Sequence, residues 1–542
     1  MELEGEIQRS GRGLIETMTQ VRSHQNRGDR WLNQMIRHFM DNESLRVRAL
    51  RFVDVVPALD DDRDLAEHLR HYFSTDELMI PRLAQWGLHH TDNWLGAKMA
   101  ARVVRLGMRI VARRYMGGEQ TETVLDHVRR LREQGFNLSL DHLGEATLSE
   151  VEADRYLQSN LTLIEQMQPE LAHWSMNERL DRAHGRNSPR LNLSIKPSSL
   201  YSQIKSQDPD GSVTGIASRL RPLLRQARSH GAAVCIDMEH YDHKAIILRL
   251  FKEVMMEDEF RDWPDVGIAI QSYLKKSTRD LYELIAWAKE RGCPITIRLV
   301  RGAYWDQESV LAAQMGWESP VWEQKWQSDA AYECNLALLF ASYPLVEVAI
   351  ASHNLRSIAV ARALAHHYRL TPDQYEFQML YGMSDQLQQA VKAEGQRLRV
   401  YVPFGEVIPG MAYLVRRLLE NASSQAFLTN AFFEDVDPLA LLTPPQAEKE
   451  PPQPQLPAPV REPFHNEPVR RLTNSNERAG FSKALLHVRA QLGGEYALWV
   501  DGESVYTDRV IISKNPSHTD EVIGTVAQAD ITHADHAVIA AQ

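Results

Sequence analysis

Cysteine is scarce. The 542 residues contain three, Cys235, Cys293 and Cys334, with no CxxC pair, too few for a disulfide framework or a structural zinc site. A reducing compartment is the natural expectation. No stretch approaches the roughly 20 apolar residues needed to span a bilayer, and the opening MELEGEIQRSGRGLIE has no apolar signal-peptide core. No block of like charge occurs either: 61 Lys and Arg stand against 72 Asp and Glu, a formal charge of -11, which argues against a nucleic-acid-binding surface. No GxGxxG follows a strand, so a Rossmann domain is not expected in this chain and any nucleotide cofactor must be held by another fold. What remains is ordinary globular composition, 43% hydrophobic and 25% charged, in a chain long enough for two to four domains.

From about Leu14 to Gly117 apolar residues recur three and four apart, as in LRVRALRFVDVVPAL, and predict an all-helical lead-in. The pattern then changes. Eight short apolar, β-rich runs follow, each succeeded by a helical stretch: FNLSLDH (136–142), LNLSIKP (191–197), AAVCIDME (232–239), VGIAIQS (266–272), ITIRLVRG (295–302), VEVAIASH (346–353), YEFQMLYG (375–382) and LRVYVPFG (398–405). This alternation predicts an α/β fold, a closed (β/α)8 barrel of the TIM type whose strands are buried on both faces. Active sites of such barrels form at the carboxyl ends of the strands. Seven of the runs place polar residues there: Asp141, Lys196, Asp237 with Glu239, Gln271, Arg298 with Arg301, His353, and Gln378 with Tyr381. The expected division is a helical region over 1–130, the barrel over 131–442, a Pro-rich linker over 443–475, and the opening part of a further domain over 476–542, with a helix, the strand-like YALWVDGE and VIISKNP, and a last helix from Asp530.

Several residues can carry chemistry. Tyr413, Arg416, Arg417 and Glu420 in MAYLVRRLLEN fall on one stripe of the helix expected after the eighth strand. Two adjacent arginines there can grip a carboxylate; a solvated helix with an Arg–Glu pair fits the same spacing. Lys196 reads equally as an ion-pair partner of Asp237, a Schiff-base nucleophile or an electrostatic anchor. Asp237, Glu239, His240 and His243 suggest a metal cluster by type, but the first strand lacks an HxH pair and both histidines fall beyond their strand, so no metal is expected. In RLVRGAYWDQE (298–308), Gly302 and Ala303 permit close approach of a ligand to backbone, and Tyr304 and Trp305 offer flat faces; a βα turn with core aromatics is the plainer reading.

Taken in order, LGEA (143–146), SIKPS (194–198), IDME (236–239), IQSY (270–273), IRLVRGAYWD (297–306), ASHN (351–354), YVPFG (401–405) and AYLVRRLLEN (412–421) make residues 130–430 resemble the proline dehydrogenase barrel of the proline utilization A family. LWVDGE (498–503) and KNPSHTDEVIGTVAQA (514–529) resemble the start of an aldehyde dehydrogenase domain, the family's second enzyme. The resemblance implies non-covalent FAD, oxidation of L-proline to Δ1-pyrroline-5-carboxylate, and electron delivery to a membrane quinone. It places Arg416, Arg417 and Lys196 on the substrate carboxylate, and Tyr304, Tyr401, Tyr413 and Leu299 around the pyrrolidine ring. Asp237 is expected to order Tyr413 and Lys196, and Arg298 to approach the flavin N5. Gln271, Val300, Gly302, Ala303, Trp305, His353, Asn354 and Glu420 would line the rest of FAD, with Glu145 beside the barrel mouth.

The same resemblance implies a cytoplasmic enzyme, peripheral at most to the inner face of the membrane, and a homo-oligomer at full length. NAD would serve only the dehydrogenase domain, whose nucleotide-binding core and cysteine are expected beyond Gln542. The N-terminus shows no ribbon-helix-helix pattern, so no nucleic-acid partner is expected. Two rival functions remain at this stage: a Schiff-base lyase using Lys196, and a non-catalytic barrel scaffold.

Overall fold

All eight apolar runs become strands: β1 (Asn137–His142), β2 (Asn192–Ile195), β3 (Ala233–Ile236), β4 (Val266–Gln271), β5 (Ile295–Val300), β6 (Val346–Ala351), β7 (Tyr375–Leu380) and β8 (Leu398–Phe404). The computed structural model of the chain describes residues 2–21, 48, 51–52, 55–56, 59, 61–73, 94–144, 147–406, 413, 438–446, 464, 466–467 and 469–542. Every strand pairs in parallel with its sequence neighbours, and β1 also pairs with β8, from Asn137 beside Arg399 to His142 beside Phe404, which closes the barrel. Two units form, residues 1–468 and 469–542.

The pleat sorts side chains by alternation. Leu138 and Leu140, Leu193 and Ile195, Ile268 and Ile270, Ile297 and Leu299, Phe377 and Met379, and Val400 and Val402 all belong to the apolar core that the surrounding helices cover. Their neighbours Ser139, Asp141, Ser194, Lys196, Gln271, Arg298, Gln378 and Arg399 are buried too, yet polar. The strands are thus buried on both faces, as expected, with the lumen face polar. This barrel is oily outside and charged within. At its amino end, Ser139 donates to Asn192 (2.6 Å), Arg399 forks onto Glu376 (2.7 and 3.0 Å), and a cavity of about 60 Å³ is lined by Arg186, Cys235, Glu347, Glu376, Gln378 and Arg397 among others.

The helices are bounded by local chemistry. Helix α1 (Glu2–Val21) buries Ile7, Gly11, Leu14 and Met18 along one stripe. The lead-in continues with α2 (Asp62–Phe73), α3 (Trp94–Tyr115) and α4 (Thr121–Glu133). In the barrel follow α5 (Glu150–Ala172), α6 (Pro209–Ser229), α7 (Tyr241–Val254), α8 (Ser277–Arg291), α9 (Trp305–Met315), α10 (Lys325–Ala341), α11 (Leu355–His367) and α12 (Asp385–Ala393). Asp208 caps α6 through the Gly211 N–H, with Pro209 at its first position, and left-handed Gly292 ends α8. Helix α1 packs on α11 and α12. Gln8 donates to the Leu442 carbonyl (3.0 Å), and Arg356 on α11 pairs with both Glu4 and Glu333 at 2.8 Å. No helix among the described residues is long and apolar enough to cross a membrane.

At Gly382, just past β7, φ is +74° and a Cβ would lie 1.9 Å from the backbone oxygen of Arg114. Backbone cannot yield as a flexible side chain can. Gly382→Ala is therefore expected to destabilise the barrel by more than the ~1–2 kcal/mol of the left-handed backbone alone, read as a lowered urea midpoint at unchanged slope.

The second unit holds α13 (Ser475–Ala490) and α14 (Ile531–Ala541). The hairpin of β9 (Leu498–Val500) and β10 (Glu503–Val505) turns through Asp501 and Gly502, both at positive φ, as the Asp-Gly pair foretells. A ten-residue strand, β12 (His518–Ala527), runs antiparallel to β11 (Val510–Asn515) and parallel to the short Gly494–Tyr496 strand. That strand is not apparent from the sequence, because its polar start and internal Gly524 mask the β signal.

Candidate functional site

The charged lumen gathers toward the carboxyl ends of the strands. Lys196, one residue past β2 and 5% exposed, hydrogen-bonds Asp141 from β1 and stands 3.6 Å from Asp237. The ion pair with Asp237, one of the three readings of Lys196, is present, but Asp141 is the nearer partner. Asp237, one residue past β3, receives Ser194 Oγ (2.6 Å) and Arg298 Nη1 (2.6 Å) on one oxygen and the Tyr401 hydroxyl (3.0 Å) on the other. Arg298 also donates from Nε to Gln378 (2.7 Å) and from Nη1 to Ser194 (2.8 Å), and lies 5.2 Å over the Tyr401 ring. Two carboxylates and two cations thus interlock in one buried cluster.

Electrostatics fix the protonation states. Burial pushes Asp237 up, but Arg298, Lys196 and the hydroxyls of Ser194 and Tyr401 pull harder, and its carboxyl lies below the usual aspartate range. Burial, with Asp141 and Asp237 adding to it, raises Tyr401 well above an ordinary phenol, so its hydroxyl is a donor. His142, stacked between Tyr156 and Phe404 at 5.2 and 4.8 Å, is brought down to about 4 by burial and by the Lys196 charge. It is a neutral imidazole at the barrel mouth.

Around this cluster stand the other residues singled out from the sequence. Gln271 ends β4, and its amide nitrogen donates to the Met238 and Glu239 carbonyls (both 3.2 Å). Gly302 has φ +131°, and a Cβ there would lie 2.2 Å from the Tyr273 ring, so the turn admits only glycine. Tyr304 packs its ring 4.2 Å from His240. Trp305 opens α9, 40% exposed, and donates to the Trp322 carbonyl (2.6 Å). Val300 is half-buried and Ala303 exposed. His353 accepts the Leu380 N–H at Nε2 (3.0 Å), which places its proton on Nδ1. Tyr413 is buried.

Two residues stand apart from the cluster. Asn354 caps α11, its carboxamide oxygen accepting from the Ser357 N–H (2.9 Å), and Leu299 is fully buried in the apolar core, on the opposite strand face from Arg298. Glu145, Arg416, Arg417 and Glu420 lie outside the described residues. Three or more metal-ligating groups come together nowhere among the described residues. Sequence reasoning passed over Ser194, Glu376 and Arg399. The signal was present in the period-two runs Ser194-Lys196, Glu376-Gln378 and Arg399-Tyr401, which share the lumen face with the strand-end residues.

Comparison with known proteins decides the family. A model described as proline dehydrogenase matches residues 124–430, more than half of the chain. This chain belongs to the proline dehydrogenase family. The match spans every strand of the barrel and all members of the Lys196–Asp237–Arg298 cluster. A second model, the proline utilization A N-terminal domain, matches residues 4–115, the helical lead-in to the proline dehydrogenase barrel. The chain is 29% identical over 465 residues to the bifunctional protein PutA of Escherichia coli (strain K12), covering 82% of this chain and 34% of that one. It is 29% identical over 324 residues to proline dehydrogenase 1 of Bacillus subtilis (strain 168), 59% of this chain and 90% of that one. The crystal structure of proline utilization A from Bdellovibrio bacteriovorus inactivated by N-propargylglycine matches with a TM-score of 0.87 and 32% identity, over 99% of this chain and 54% of that one. The chain therefore spans about a third of the E. coli protein's length and about half of the Bdellovibrio one.

Proposed function

We propose that the barrel oxidises L-proline to Δ1-pyrroline-5-carboxylate with non-covalent FAD, passing electrons to a membrane quinone, as the first step of proline degradation to glutamate. The observation that carries this reading is the interlocked Lys196, Asp141, Asp237 and Arg298 cluster inside a barrel of the proline dehydrogenase family. Its fit to a flavin rests on two buried atoms that have no hydrogen-bond partner among the described residues, Arg298 Nη2 and Gln271 Oε1: a cationic donor and a neutral acceptor suit the polar edge of an isoalloxazine. Arg298, Gln271 and His353 would hold that ring, Val300, Gly302, Ala303 and Trp305 would line the remainder, and Asn354 would shape this wall by fixing α11. Glu420 is assigned to the same wall. When bound, the flavin supplies the two-electron sink for the hydride leaving proline C5.

The chain's own residues bind and orient. Lys196, with Arg416 and Arg417, anchors the substrate carboxylate, while Tyr304, Tyr401 and Tyr413 are assigned to the ring; Leu299, on the core-facing side of β5, backs that wall from behind rather than touching substrate. Asp237 holds Lys196, Arg298 and Tyr401 in register, and its fixed charge keeps both cations in place. A Schiff-base role for Lys196 is disfavoured by its environment, since an ammonium donating to Asp141 offers no lone pair for attack.

Residues 1–130 form the helical region, 131–442 the barrel and 443–475 the linker. Residues 476–542 open an aldehyde dehydrogenase domain that oxidises glutamate semialdehyde with NAD in a bifunctional whole; in support, the Bdellovibrio structure aligns along 99% of this chain. A cytoplasmic homo-oligomer visiting the inner membrane face fits quinone as acceptor. The visible spectrum tests the central reading: purified protein should show flavin absorbance that bleaches on anaerobic addition of L-proline. A colourless protein that takes up no added FAD would overturn it.

A further inference from the structure

Arg298 is held from below by a relay that ends far from the mouth. Arg399 on β8 forks onto the Glu376 carboxylate through Nε (2.7 Å) and Nη2 (3.0 Å) and is itself tied to the Leu138 carbonyl (2.8 Å). Glu376 accepts from the Gln378 amide nitrogen (2.6 Å), and the Gln378 amide oxygen accepts Arg298 Nε (2.7 Å). Glu376 and Gln378, two apart on β7, share the lumen face.

We propose that Glu376, acting through Gln378, is a positioning residue that sets the orientation of the Arg298 guanidinium toward the flavin. This rests on the flavin reading above. An ionised carboxylate accepts and cannot donate, and burial, which pushes Glu376 up, is overcome by the Arg399 charge so that it stays ionised. It therefore dictates which way the Gln378 amide faces: nitrogen toward Glu376, oxygen toward Arg298. With Nε taken by Gln378 and Nη1 by Ser194 and Asp237, the planar guanidinium has one orientation, and Nη2 is the donor left without a partner among the described residues. The relay turns a remote carboxylate into the aim of a cation.

The test separates aim from charge. Neutralising Glu376 removes a negative charge from the lumen, and by through-space electrostatics alone that raises the flavin midpoint potential by favouring the electron-rich reduced form. Mis-aiming Arg298 removes a donor from that form and lowers the potential. In purified holoenzyme, Glu376→Gln and Gln378→Met should both weaken the preference for reduced flavin about tenfold, a fall of about 30 mV for a two-electron couple, with kcat falling more than KM for proline changes. Gln378→Met leaves the Glu376–Arg399 pair in place, so it reports even if Glu376→Gln folds poorly. A potential that rises in Glu376→Gln, or stays unchanged in Gln378→Met, overturns the proposal while flavin reduction by proline in the wild type keeps the functional reading intact. A wild type without flavin overturns both.

Discussion

Lys196→Met is expected to lower kcat/KM for L-proline by about 10- to 150-fold, the equivalent of one charge-assisted hydrogen bond of about 1.5–3 kcal/mol. Methionine keeps the length and most of the volume of the lysine stem, so the change is close to a deletion of charge. Most of the loss should fall on KM, because an anchor for the substrate carboxylate acts in the ground state and the transition state alike. Initial rates of proline-dependent dye reduction over a range of proline concentrations measure it. An unchanged KM would remove Lys196 from the substrate. The variant should retain its flavin, since the groups assigned to the cofactor, Arg298 and Gln271, make none of their observed hydrogen bonds to Lys196. Stability should also fall, because Asp141 and Asp237 lose the ammonium they share.

The largest effect on stability is expected from Asp237→Asn. The carboxylate collects Arg298, Ser194, Tyr401 and Lys196 on two oxygens, and breaking one side of a buried ion pair typically costs about 3–5 kcal/mol. An asparagine keeps the shape but turns one acceptor into a donor, which then faces a hydroxyl and a guanidinium already donating. Urea unfolding at pH 7 should show the full difference from wild type. Because the folded-state pKa of Asp237 is depressed, its contribution is present above the unfolded value of about 3.9 and is lost as pH falls through the folded one. The gap between variant and wild type should thus narrow on acidification below about pH 4. A gap that stays constant there would mean that Asp237 acts by packing rather than by charge.

How far the fold could be read beforehand is clear from β5. ITIRLVRG announces a strand by its branched residues, and the structure ends that strand at Val300, two residues short of the run; the other barrel strands agree to within a few residues for the same reason. The lumen was partly legible. The alternation in NLSLDH and NLSIKP marks Ser139, Asp141, Ser194 and Lys196 as one face, yet nothing in it says that Lys196 meets Asp141 before Asp237. That pairing is created when β1 lies beside β2, from residues 55 apart in the chain. Asn354 shows how one residue type carries two signals. Its ASHN motif suggests a ligand contact, but the first turn of α11 occupies its side-chain oxygen, since Asn before a helix is as much a cap as a ligand.

The docking of α1 against residues from the far end of the barrel bears on how the molecule is made. Among the described residues, helix α1 packs chiefly against α11, α12 and the 3-10 turn at Pro438–Leu442. On a ribosome working at about 5–20 residues per second, the Ile7–Met18 stripe is exposed for tens of seconds before Leu442 leaves the exit tunnel. During that interval it is a target for holdase chaperones or for another nascent chain. When the turn at Leu442 arrives, Gln8 and Arg356 meet its carbonyl together, so the bolt that secures the first helix is among the last parts of the barrel unit to be synthesised.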